Sequence, residues 1–106
     1  MSRSDDHRLA DIREACERIA ALTSRGRDAF DDDLAIQPAL ERFLEIIGEA
    51  ANALGEEARE AYPAIPWRDI TRFRILLAHH YHRIDPEQVW VFATVHVPEL
   101  AAELAP

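Results

Sequence analysis

The residues ALERFLEIIGEAANAL (39–54) settle what kind of chain this is. Leu40, Phe43, Leu44, Ile47, Ala51 and Leu54, with Ile36 just upstream, recur at the three- and four-residue spacing that lays apolar side chains on one stripe of an α-helix. Gly55 ends that helix. Pro38 sits near its start, where it either kinks the helix or occupies its first turn. Asp31, Asp32 and Asp33 precede it and are expected to supply an N-cap and first-turn negative charge.

The same spacing extends outward. Leu9, Ile12, Cys16, Ile19, Ala20 and Leu22 predict a helix over about residues 5–24, stopped by Gly26. EEAREA (56–61) reads as a short helix, and YPAIPW (62–67) cannot be helical throughout, because each proline pushes the residue before it into extended geometry. A further helix is expected from near Trp67 to about Tyr81. DPEQ (85–88) is a start signal: an aspartate cap, proline in the first helical position, and glutamine three residues after the cap. The helix it opens carries Val89, Phe92, Ala93 and Val95, and Pro98 is expected to bend it before ELAAEL. With three glycines in 106 residues and strong helix formers dominating, the expected fold is all-α. Four principal helices plus a short one would form a bundle, in one domain over residues 1–106.

Apolar residues make up 48% and charged residues 30% of the chain, ordinary for a soluble globular protein. The N-terminal MSRSDDHR is too charged for a secretory signal, and no apolar run approaches the ~18–20 residues of a membrane span. The cytoplasm is therefore the expected compartment, with no membrane partner. Cys16 is the single cysteine, so no intrachain disulfide can form, and its place on an apolar stripe predicts a small buried residue.

A net charge of −8 argues against broad electrostatic attraction to nucleic acid. Its distribution is uneven: residues 67–84 hold Arg68, Arg72, Arg74 and Arg83 against Asp69 alone, a local +3. Within that span RFRILLAHHYHRID (72–85) passes from an apolar helix body to a cluster of His79, His80, Tyr81, His82 and Arg83. These residue types suit metal-free RNA cleavage. A histidine with a pKa near ~6.5 can remove the ribose 2′-hydroxyl proton or protonate the leaving 5′-oxygen, while a permanently charged arginine stabilises the phosphorane. A second reading is a helix that ends in a polar turn, since arginine and histidine are favoured there by the helix dipole. A third is a metal site using His79 and His82, although no carboxylate or cysteine lies at ligand spacing in that segment and His96 would have to come from elsewhere. Arg72 and Arg83 suit backbone-phosphate contacts or solvated surface. Glu45 and Glu49 either flank the buried stripe or orient a catalytic group from a neighbouring helix. Trp67 and Trp90 read as core or interface residues.

Arg74, four residues, His79, one residue and Tyr81 form the order R-x4-H-x-Y, which resembles the HepT-like branch of the HEPN superfamily. ALERFLEIIGEAANAL (39–54) and AIPWRDI (64–70) are similar to the segments that precede this motif in the family. YHRIDPEQVWVFATVHVPEL (81–100) is similar to the family segment on the C-terminal side of the motif, so the resemblance covers about residues 5–104. It implies a HEPN-type helical bundle that forms a homodimer, with two motifs facing across the interface. It also implies a metal-independent endoribonuclease that needs no cofactor and acts as the toxin of a bacterial toxin–antitoxin pair. The implied partner is a minimal nucleotidyltransferase antitoxin that silences the toxin by transferring AMP to the motif tyrosine. By position, Arg74 and His79 would be catalytic and Tyr81 the modified residue. From the residues themselves, His80 and His82 suit an alternative base or RNA contact, and Arg72 and Arg83 suit RNA contact or solvated surface. Three positions depart from the family pattern: Ile75 stands where a polar residue is usual, His80 where a small one is common, and His82 where an aromatic is common. Ile75 and the negative net charge motivate an alternative, a catalytically silent helical module that keeps the dimer and the partner surface.

Overall fold

A computed structural model describes residues 1–79 and 84–105, with the side chain of His79 outside the description. Among the described residues the elements are α1 (Arg3–Thr23), α2 (Arg27–Asp32), α3 (Ile36–Ala53), α4 (Glu56–Glu60), α5 (Trp67–His79), α6 (Pro86–Val91), a π-helical turn (Phe92–His96) and α7 (Val97–Leu104), and none is a strand. The expected all-α bundle is present. Its long members are α1, α3, α5 and the continuous helical path from α6 to α7.

The apolar stripe of α3 makes it the central helix, packed against α1 on one side and α5 on the other, while α1 also packs on α7. Ile12 and Ile19 of α1, Leu40 and Ala51 of α3, Val89 of α6 and Leu104 of α7 are buried together. At roughly 1.5–3 kcal/mol for each large aliphatic side chain removed from water, this cluster is the main source of stability. Arginines tie the helix ends. Arg13 Nε donates to the Leu104 carbonyl (2.9 Å), and Arg59 Nη2 donates to the carbonyls of Ala51 and Asn52 (3.1 Å each) at the end of α3.

Pro38 lies in the first turn of α3, which resolves its two readings in favour of a helix start. The acidic block departs from expectation. Asp31 and Asp32 end α2, a six-residue helix, with Asp33 as its C-cap, and α3 has no acid in its first turn. Asp31 is paired with Arg27 (2.9 Å) and Asp33 with Arg25 (3.3 Å), while the Ala35 N–H donates to Asp33 Oδ1 (3.0 Å) in a turn ahead of the helix. Gly26, at φ 90°, makes the bend between α1 and α2 that an L side chain would strain. The DPEQ signal is realised: the Glu87 N–H donates to Asp85 Oδ1 (3.0 Å) and Pro86 opens α6. Pro98 does not break the helical path. A proline ring collides with the carbonyl four residues back, here that of Thr94, and the helix widens into its π turn over that residue.

Asp5 is a buried acid with no counterpart among the sequence-based expectations. Its Oδ1 accepts the Gly55 N–H (3.0 Å), joining the start of α1 to the junction of α3 and α4. This hydrogen bond holds the Asp5 carboxyl below its ordinary value of 3.8. A pKa lowered by folding adds stability above the ordinary value, and that stability is lost as pH falls through the folded value. The thermal midpoint should therefore drop on acidification below about pH 4, and more gently in Asp5→Asn. Identical midpoint-versus-pH curves for the two proteins would remove Asp5 from this role.

Candidate functional site

Gly48, buried in the middle of α3, faces Arg74 of α5. A Cβ built on Gly48 would stand 2.4 Å from Arg74 Cβ and 2.9 Å from its Cγ. Carbon atoms pack best about 3.5–4.0 Å apart, so only a residue without a side chain permits this approach. The arginine's stem is thereby laid on bare α3 backbone, and its position along the helix pair is set by packing. Its Nε is buried with no hydrogen-bond partner among the described residues. Glu45 and Glu49, the two acids read as possible orienters, lie instead 3.5 and 4.0 Å from Arg42 on their own helix. Arg74 is thus a cation clamped against α3 without a carboxylate partner among the described residues.

The opposite side of α5 is exposed. Arg68, Arg72 and Ile75 succeed one another at four- and three-residue spacing on that face, and Ile75 is 46% exposed. Arg74 and Arg72 therefore share a helix but not a face. His79 is the last residue of α5. His80, Tyr81, His82 and Arg83 lie outside the described residues, as does the His79 side chain, so the reading of a metal pair at His79 and His82 falls there too. Among the described residues no three His, Cys, Asp or Glu side chains converge as a metal site, and no helix is long and apolar enough to cross a membrane.

The tryptophans hold structure together. Trp67 Nε1 donates to the carbonyls of Arg59 and Tyr62 (3.2 Å each), fixing α4 and the proline turn against the start of α5. Trp90 packs on Phe30 at 5.0 Å, with the Arg27 guanidinium over both rings. Cys16 is buried as expected, and burial pushes its thiol up to about 11. In the folded protein it should resist a chromogenic disulfide reagent at pH 8 and react once denaturant is added; rapid reaction of the native protein would contradict this placement.

Gly48 is the residue that sequence reasoning missed. The signal was present, because a glycine inside a helix costs about 1 kcal/mol relative to alanine and an isolated one usually has a packing reason.

The fold and the clamped arginine define an all-α bundle with a cation presented at an inter-helix seam. Comparison with known proteins gives the family: residues 12–106 match the family described as ribonuclease HepT-like. The probable ribonuclease HepT of Thermococcus cleftensis is 37% identical over 103 residues, spanning 94% of this chain and 92% of that protein. A protein of Methanocaldococcus jannaschii whose name marks it as a candidate RNase is 39% identical over 97 residues, 91% of this chain and 80% of its own length. Another so named, from Caldanaerobacter subterraneus, is 30% identical over 99 residues, 93% of this chain and 86% of its own. No solved structure matches. The chain belongs to the HepT-like ribonuclease family.

Proposed function

We propose that this protein is a metal-independent endoribonuclease, the homodimeric toxin of a toxin–antitoxin pair, with its site built from Arg74 and His79. The observation that carries the reading is Arg74, held on Gly48 with its Nε unpaired among the described residues. Family membership supports RNA as the substrate. In the reaction the ribose 2′-oxygen attacks the adjacent phosphorus while a base takes its proton. The bond from phosphorus to the 5′-oxygen breaks, and an acid protonates that oxygen. His79 serves this proton transfer, and Arg74 stabilises the charge on the phosphorane. Arg72, His80, His82 and Arg83 hold the flanking RNA backbone. Positions five apart lie about 140° around a helix axis, so a site needing both residues is more easily assembled from two protomers across a two-fold axis.

The proposed partner is a minimal nucleotidyltransferase that attaches AMP to Tyr81. A phosphodiester and a bulky base beside Arg74 would occupy the place of the substrate phosphate and repel it. The test is the intact mass of the protein after co-expression with a minimal nucleotidyltransferase. The expected result is added AMP, lost in Tyr81→Phe, with cleavage suppressed only in the modified form. Unmodified protein with undiminished cleavage would reject the control mechanism.

A second reading, a binding module without cleavage, has one observation in its favour. Ile75 puts an apolar side chain, 46% exposed, on the outer face of α5 at a position where the family usually keeps a polar residue. A stable complex with the nucleotidyltransferase, together with no RNA cleavage in EDTA at any salt concentration, would select it.

A further inference from the structure

Between α5 and α7 the bundle is open. A cavity of about 720 Å³ is floored by Leu44 and Ile47 of α3 and walled by Ile70 and Phe73 of α5 and by Val97 and Leu100 of α7. Phe92 of the π turn stacks on Phe73 with ring centroids 3.7 Å apart and planes 8° from parallel. Polar groups are confined to the rim: Asp69, Glu99, Glu103 and His96, whose Nδ1 is 4.0 Å from Glu99 Oε2. No arginine lines the cavity among the described residues, and the chain has no lysine.

We infer that this groove docks a cationic amphipathic helix of a partner protein, with apolar side chains on α3's floor and basic ones against the carboxylate rim. Three features choose that occupant. The groove has an apolar centre and a polar rim, the anatomy of a protein interface, whereas a small-molecule pocket places convergent polar groups inside. The rim carries three carboxylates, which repel RNA phosphates and favour a basic partner. The walls run alongside the helical path from Phe92 to Glu103, about 17 Å at ~1.5 Å per residue, which accommodates some three turns of a helix laid in the seam. Arg74 does not line the groove, so the inference stands apart from the proposed catalysis.

The test uses a fluorescein-labelled peptide of about twelve residues, with leucine at i, i+3, i+4 and i+7 and lysine elsewhere, read by fluorescence polarisation on the full chain. Controls are a scrambled peptide and one with glutamate in place of lysine. The lysine peptide should bind the wild type and bind about tenfold more weakly to Glu99→Lys/Glu103→Lys. It should bind Glu14→Lys/Glu17→Lys, with the same change of net charge on exposed α1 positions, as it binds the wild type. Ile70→Glu should abolish binding. Equal weakening by both charge reversals, or equal binding of the scrambled peptide, would reduce the effect to net charge and overturn the inference. No binding to a wild-type dimer that Ile70→Glu converts to monomer would assign the groove to a second copy and overturn it as well.

Discussion

Replacing Arg74 by alanine is expected to lower the rate of RNA cleavage about 10²- to 10³-fold, the usual loss when a fixed charge-stabilising donor is removed. Stability should change little, by about 1 kcal/mol or less. The reason is the unusual state of the side chain: its buried Nε has no described partner, so truncation orphans no acceptor. Arg74→Lys keeps the charge but loses the planar fork that grips two phosphate oxygens, and should stay well below the wild type. Cleavage by Arg74→Ala at the wild-type rate, in protein shown to be folded by its thermal transition, would remove Arg74 from the site.

Gly48→Ala carries the second large effect, and even its sign is informative. On helix propensity alone, alanine for glycine inside a helix stabilises by about 1 kcal/mol. Here the new methyl would stand 2.4 Å from Arg74 Cβ, so α3 and α5 must separate or Arg74 must move. Overpacking of this kind costs about 1–3 kcal/mol and should outweigh the propensity gain. Activity should fall further than the folded fraction does, because displacing a catalytic group by ~1 Å can cost about 100-fold. Valine should be worse on both counts. Denaturant titration gives the stability, and cleavage assayed where both proteins are fully folded gives the rest. A variant as stable and as active as the parent would show that the close approach does not set Arg74.

These two residues also mark how far the sequence could be read. The long helices announced themselves because their apolar residues recur over several turns, and the start of α6 was legible in Asp85 and Pro86. The six-residue α2 is too short to show a period, and of the acids that looked like a cap for α3, Asp31 and Asp33 are held by Arg27 and Arg25 instead. Pro98 was readable as a disturbance, but not as a π turn, since that depends on how the helix reroutes its carbonyls. Arg74 was singled out by its spacing to His79 and Tyr81. Its seat on Gly48 was not, because that contact joins two helices whose register only the packed bundle determines. Asp5 was missed for the same reason: its partner is a backbone N–H fifty residues away.

RNA cleavage by the purified wild type and Arg74→Ala, side by side in EDTA, tests the central claim most directly. Wild-type protein should yield fragments ending in 2′,3′-cyclic phosphate and 5′-hydroxyl groups, and Arg74→Ala should yield almost none. Intact RNA with both proteins, or equal cleavage by both, would contradict the account.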